Sequence, residues 1–351
     1  MRKLLGPSAL LLVAAMTLAA CGNSTKTAAA GASASSGPVT LTLGYFPNLT
    51  HATALVGLQK GIFAQTLGSN VTLKTATFNA GPAAVEALFS GAIDASYVGP
   101  NPAINAYKQS KGTAIKIISG ATSGGAALVV KPSINSAADL KGKKIATPQL
   151  GNTQDVALRY YLKQHNLTAD QQGGGDVSIL PQDNSQTLQT FKAGNIDGAW
   201  VPEPYATRLV QEDGGKILVN EKDLWSGGKF PTTLLVVRTA FLNAHPDVVK
   251  KLLEAQVKAN DYVNKNSADA QRLANQALAT ATGKPLGASV LSAAWQNLTF
   301  TDDPLASAFN TAASHAEAVG LLAGVDLTGI FDLTPLNDAL KSAGESTVKS
   351  S

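Results

Sequence analysis

The sequence predicts an α/β protein of two similar lobes joined by two hinge-crossing segments, and three observations carry that expectation. The first is a repeat: residues 89–102 read FSGAIDASYVGPNP and residues 191–204 read FKAGNIDGAWVPEP. In both copies a helical run ends at glycine, an Ile-Asp pair follows, and a short apolar stretch breaks into Pro-x-Pro. The second is a steady alternation of strand-period and helix-period segments, the signature of a largely parallel sheet. The third is an echo, LVVK at 128–131 and LVVR at 235–238. These two segments are expected to cross between the lobes side by side as a hinge. Two lobes, each offering an equivalent loop, enclose a cleft.

The elements follow in order. Val39–Tyr45 alternates at strand period, Pro47 and Asn48 break it, and from Thr50 the spacing of Ala54, Leu55, Leu58 and Ile62 predicts a helix. Residues 71–78 form a second strand, 83–89 a helix, and 95–98 a short buried strand, with further strands at 115–118 and 127–130. In the second lobe, 143–147 is a strand and 153–165 a helix. Gly173 to Gly175 is a turn without the spacing of a phosphate loop. Residues 177–180 form a strand, 185–192 a helix and 198–201 a strand. From Pro246, a residue suited to a first helical turn, the chain becomes helical around 246–257, 268–281, 289–295 and 306–322. The expected lobes are 39–129 with 234–345, and 130–233.

The ends and the composition narrow the class. Arg2 and Lys3 precede an apolar stretch from Leu10 to Leu18, too short to span a bilayer, so residues 1–20 read as a signal peptide. Cys21 follows the small residues Ala19 and Ala20 directly and is the only cysteine in 351 residues. Its position marks it for lipidation, and a single cysteine forms no internal disulfide. Residues 21–38 are rich in Ser, Ala, Gly and Thr and read as a flexible tether. The chain carries 28 Lys and Arg against 24 Asp and Glu, and Arg2 and Lys3 supply half of that excess. A nearly neutral body does not point to nucleic acid.

Several motifs together carry a resemblance. They are the signal with its terminal cysteine, GYFPN at 44–48, AGP at 80–82, the Gly-x-Ile-Asp repeat, DLKGKKIA at 139–146 and WVPEPY at 200–205. The chain resembles the substrate-binding proteins of ABC importers for nitrate, sulfonates and taurine, over nearly all of residues 39 to 340. The resemblance implies a two-lobed periplasmic-binding-protein fold of the type II kind. It also implies a soluble body held outside the cell by the lipid on Cys21, with an ABC permease and its ATPase as partners. The expected ligand is a small organic anion, an aliphatic sulfonate or taurine first. Nitrate is the alternative, and a neutral heterocycle such as a thiamine precursor or a flavin comes third.

Ligands of open α/β sheets lie outside the carboxyl ends of the strands. That rule selects Asn48, Thr50 and His51, then Gly81 and Pro82, then Gly99, Pro100 and Asn101, then Ser123 and Gly124. From the second lobe come Gln149, Asn152, Thr153, Trp200 and Glu203. Asn48 or Thr50, and Asn152 or Thr153, are expected to open helices, where free N–H groups suit an anion. Each also fits a plain capping role. A protonated His51 would strengthen an anion's hold. Trp200 is expected as an aromatic wall, and Glu203 as a partner for an ammonium group, for the other lobe or for Arg208. Lys131, Arg159, Arg208 and Lys229 are candidate cations, and Arg159 reads as a solvated helix residue.

The rival class is an enzyme, and the inventory does not favour one. Four histidines, at 51, 165, 245 and 315, lack metal-site spacing, and no G-x-S-x-G or P-loop is present. The same fold family includes a thiamine-pyrimidine-forming enzyme with a cysteine-rich motif, which is absent here. No cofactor and no metal are expected.

Overall fold

Two sheets organise the chain, each with its own helices. The computed structural model describes residues 37–350, so the signal segment, Cys21 and the tether to residue 36 lie outside the described residues. The first pass runs β1 (Val39–Tyr45), α1 (Ala52–Gln59), α2 (Ile62–Leu67), β2 (Val71–Thr77), α3 (Gly81–Ser90), β3 (Ala95–Val98), α4 (Pro100–Gln109) and β4 (Ile115–Gly124). The second comprises β5 (Ala126–Val130), β6 (Lys144–Thr147), α5 (Thr153–Gln164), β7 (Ser178–Pro181), α6 (Asn184–Lys192), β8 (Gly198–Pro202), α7 (Tyr205–Gln211) and β9 (Lys216–Asn220). The chain then returns through β10 (Pro231–Arg238), α8 (Thr239–Ala244), α9 (Pro246–Lys265), α10 (Ser267–Thr282), α11 (Ala288–Gln296), β11 (Leu298–Phe300), α12 (Ser307–Ala318) and α13 (Thr334–Ser342).

Strand order in the first sheet is β11-β4-β10-β3-β1-β2, and in the second β7-β6-β8-β5-β9. Read from the other end, the first sheet runs β2-β1-β3-β10-β4-β11, and its first five strands follow the same scheme as β7-β6-β8-β5-β9. In each, two parallel neighbours flank the first strand, and the third strand pairs antiparallel with one borrowed from beyond a crossing. Thus the two Gly-x-Ile-Asp copies occupy equivalent places, leading into β3 and β8.

That equivalence corrects the expected hinge. β5 pairs only with β8 and β9, and β10 with β3 and β4, so the LVVK and LVVR strands lie in different sheets and never pair. They echo because they do the same job. Asp94 accepts from the Thr42 N–H at 2.9 Å and pairs with Arg238, the end of β10, at 2.9 Å. Asp197 accepts from the Lys144 N–H at 2.9 Å and pairs with Lys131, just past β5, at 3.3 Å. The chain therefore passes between sheets at Gly124-Gly125 and again between Asn220 and Pro231, not at 129–130 and 233–234. Gly124 and Gly125 have φ of 80° and 74°, a left-handed corner that other residues adopt only under strain.

Helix α4 was not anticipated, because Pro100-Asn101-Pro102 reads as loop. Prolines in a first helical turn lose no hydrogen bond, since those N–H groups have no helical partner. Helices α7 and α13 and strand β9 were likewise missed, being short. The first sheet's core includes Leu41, Leu43, Tyr97 and the inward face of α9, Val248, Val249, Leu252 and Leu253. Each such side chain contributes about 1.5–3 kcal/mol on full burial. No described helix is long and apolar enough to cross a membrane.

Candidate functional site

The carboxyl ends of the parallel strands in both sheets meet across a polar seam. Helix α3 opens with Gly81, whose absent Cβ would stand 2.2 Å from Pro102 and 3.2 Å from Asn152 Oδ1. Gly99, the residue before α4, leaves the same kind of gap for Thr153, the first residue of α5, whose Oγ1 would be 2.3 Å from a Cβ. Helix starts of the first half thus abut a helix start of the second. Asn48 and Asn152 precede a 3-10 turn and α5, yet neither side chain makes a capping bond. The alternative of a plain side-chain capping role therefore does not hold for either.

One opening along this seam has a volume of about 440 Å3, within the usual range for small-molecule sites. Thr77, Phe78, Asn79 and Ala80 line it from the ends of β2 and the approach to α3. Gln149, Gln182 and Asp183 line it from the ends of β6 and β7. Asn79 Nδ2 donates to Asp183 Oδ2 at 3.0 Å across the gap. Its lining contains no lysine or arginine. Donors come instead from the first turns of α3 and α6, neither of which has a side-chain cap.

Of the expected residues, Gln149 lines this opening, and Gly81 and Pro82 open the helix beside it. Asn48, Thr50 and His51 are buried next to the seam. Thr50 is fixed through its carbonyl, which accepts from Thr122 Oγ1 at 2.7 Å. Gly99 and Pro100 form the start of α4. Asn101 and Thr153 line a second cavity of about 240 Å3, and Ser123 and Gly124 a third of about 260 Å3 at the crossing, beside Lys222 and Lys229. Asn79, Gln182 and Asp183 were missed. Asn79 directly follows the strand at 71–78, where the strand-end rule selects only Gly81 and Pro82, and Gln182 and Asp183 follow the strand at 177–180, which the rule admits equally.

Three expectations need correction. His51 is buried and stacked on Phe46, and burial lowers its pKa to about 3, so it stays neutral. Its Nδ1 accepts from the Phe46 N–H at 3.2 Å, which assigns the proton to Nε2. Trp200 is no cleft wall: it is fully buried in the second core, and its indole N–H donates to Glu221 at 2.7 Å. Glu203 follows one of its three expected alternatives and joins the halves. Its carboxylate accepts from Asn297 Nδ2 at 2.7 Å and Thr207 Oγ1 at 2.9 Å, while Arg208 pairs with Glu212 instead. Arg159 is not solvated but buried against Asp155, Nε to Oδ2 3.0 Å.

Glu221 holds a carboxyl at nearly complete burial, and desolvation raises its pKa from 4.5 to about 7, opposed by the Trp200 and Trp225 indoles. An acid that binds more protons folded than unfolded loses stability as pH climbs through that interval. Glu221→Gln is therefore expected to be more stable than the parent at about pH 8, by about 2 kcal/mol. No gain is expected near pH 4.5. Melting curves at both pH values check this, and an equal gain at both would refute it.

Comparison with known proteins places the chain. The sequence profile of the NMT1-like family matches residues 34–279, well over half of its length. The chain belongs to the NMT1-like family. This NMT1-like protein is 29% identical over 206 residues to the taurine-binding periplasmic protein of Escherichia coli, 59% of this chain and 61% of that one. It is 28% identical over 212 residues to a putative aliphatic sulfonates-binding protein of Bacillus subtilis, covering 58% and 60%. These matches span about 60% of the curated relatives. The alkanesulfonate-binding protein of Xanthomonas axonopodis pv. citri bound to MOPS superposes with a TM-score of 0.71 at 20% identity, covering 86% of this chain and all of that one. The periplasmic nitrate-binding protein of Synechocystis PCC 6803 gives 0.70 at 16% identity, covering 87% and 89%. The fold is that of the periplasmic binding proteins. Among the described residues no group of three or more His, Cys, Asp or Glu is placed to hold a metal ion.

Proposed function

We propose that this NMT1-like protein is the extracytoplasmic solute-binding component of an ABC importer, anchored by a lipid on Cys21, and that it captures a small organic anion between its halves without transforming it. One observation carries the reading: the uncapped starts of α3 and α6, one from each half, border the same 440 Å3 opening. First-turn N–H groups and the positive ends of two helix dipoles hold an anion there without a paired cation. Closure about the crossings at Gly124-Gly125 and 221–230 would then present the loaded form to a permease, whose ATPase drives import.

Asp183 favours an aliphatic sulfonate that also carries an ammonium group, as taurine does. Its carboxylate borders the opening where α6 begins and accepts from Asn79, a position from which it would meet the amine of a ligand whose sulfonate lies on first-turn N–H groups. Nitrate would use the helix starts and leave Asp183 idle. Trp200 is withdrawn into the core, which leaves Phe78 as the one aromatic ring lining this opening for a flat heterocycle to meet.

A melting-shift screen of taurine, ethanesulfonate, nitrate, a pyrimidine and riboflavin tests the class. A true ligand at about 100 times its dissociation constant adds about 2.7 kcal/mol of stability. Asp183→Asn is expected to weaken taurine by about tenfold, or 1.4 kcal/mol, and to leave ethanesulfonate unchanged. If only a heterocycle stabilises the protein, the sulfonate assignment is wrong. If taurine and ethanesulfonate respond alike to the substitution, Asp183 does not meet an amine.

A further inference from the structure

The second cavity, about 240 Å3, is separate from the seam opening and shares no lining residue with it. Four parts of the chain build it: α5 from the second half, α12 and Asn101 of α4 from the first, and the 3-10 turn Glu221–Leu224 with Trp225 on the second crossing. Tyr160, Tyr161, Trp225 and His315 give it aromatic walls. Tyr160 stacks on His315 with ring centroids 3.7 Å apart, joining the two halves, and Trp225 lies 5.3 Å from the same imidazole.

Glu221 lines this space and is 1% exposed. Oε2 accepts from the Trp200 indole at 2.7 Å, but Oε1 has no partner of acceptable hydrogen-bond geometry, although the Trp225 indole lies close enough to stabilise the charge. Thr153 Oγ1, also buried and on the lining, is unpartnered as well. Lysine and arginine are absent from the lining; its histidines are His165 and His315, and burial lowers the pKa of His315, which favours the neutral ring. The space thus offers one carboxyl oxygen lacking a donor, surrounded by π faces. An anion would be repelled, and an apolar guest would leave that oxygen unsatisfied.

We propose that this cavity binds a small organic cation, an alkyl- or arylammonium group, held by the Glu221 carboxylate and the aromatic walls. Ring quadrupoles attract a cation where carboxylate and rings together replace its hydration. Because the walls come from both halves and a crossing, occupancy favours the joined arrangement of the halves. Any coupling with the seam site would be reciprocal. The inference does not depend on what the seam site binds.

The test is calorimetric titration of the full chain at about pH 8, where Glu221, with a pKa of about 7, is mostly ionised. The probes are benzylammonium, benzyl alcohol of the same shape, and benzenesulfonate. Benzylammonium is expected to bind at least about tenfold more tightly than either comparator, by the charge-plus-ring argument. Glu221→Gln should abolish that preference, and Trp225→Leu should weaken benzylammonium severalfold. Asp183→Asn, in the seam opening, should leave both unchanged. Equal binding of the ammonium and the alcohol overturns the proposal. So does a preference that survives Glu221→Gln or disappears in Asp183→Asn. Should Glu221→Gln fail to fold, Trp225→Leu and Asp183→Asn decide between the two cavities.

Discussion

Asp155→Ala is expected to destabilise the protein by about 3–5 kcal/mol, because it strands a buried guanidinium. Asp155 and Arg159 side chains are 0% and 2% exposed. The carboxylate is fully used: Oδ2 accepts from Arg159 Nε and from the Gly151 N–H, each at 3.0 Å, and Oδ1 accepts from Thr147 Oγ1 at 3.0 Å. Arg159 Nη1 donates to the Asp170 carbonyl, while Nη2 already lacks a partner. Without Asp155 the positive charge keeps a single acceptor in a dry interior. The loss should lower the melting temperature by roughly 5–10 °C in a chain of this size. Ligand binding should weaken as well, since Gly151 and Thr147 position the loop that carries Gln149 and Asn152. Asp155→Leu combined with Arg159→Met should recover part of the stability, as removing both charges leaves none unpaired. A single Asp155→Ala variant melting within about a degree of the parent would show that this pair does not hold α5 in place.

Gly99→Ala is expected to raise the dissociation constant for the seam ligand by about 10- to 100-fold, an overpacking cost of about 1–3 kcal/mol. Its backbone, at φ −76° and ψ 166°, suits any residue, so glycine is needed there only for space. An added Cβ would meet Thr153 Oγ1 at 2.3 Å. The clash lies between the halves, so its cost falls on their approach more than on the folding of either. Thr153→Ala removes the offending hydroxyl and should restore most of the affinity in the double variant, a coupling that a double-mutant cycle measures. Calorimetry on the four proteins checks this. If Gly99→Ala binds as the parent does, or if Thr153→Ala gives no rescue, then α4 and α5 do not close against each other around ligand.

The repeat and the echo show how far residue patterns reach. FSGAIDASYV and FKAGNIDGAWV mark equivalent strands, β3 and β8, because an aspartate at each strand's entry serves the same pair of partners, a backbone N–H and a basic side chain. The pattern revealed that two places are alike. It did not reveal that LVVK and LVVR are a second equivalent pair rather than one joined hinge, since similarity does not distinguish equivalence from contact. Glycine proved more informative at the crossings: Gly124 and Gly125 are adjacent residues that both take left-handed backbone, where a sheet-to-sheet turn demands it.

Side chains were harder to place than strands. Trp200 and Glu203 both lie in the second half of the second repeat, and a strand-end rule treats them alike as cleft residues. The fold buries Trp200 against Glu221 and ties Glu203 to Asn297, a partner 94 positions away. Arg159 looked solvated because its helix is amphipathic only in part, and its acceptor Asp155 lies on the same helix, where a surface pair is the usual reading.

Local periodicity, turn chemistry and an internal repeat were enough to set the α/β class, the two-sheet plan and the set of loops from which a site must be drawn, because those follow from neighbours along the chain. Which of those loops face a cavity, which carboxylates are already occupied and which glycines exist for a neighbour from the other half were settled only when distant segments packed together. Burial and partner choice depend on contacts that no short window of sequence contains.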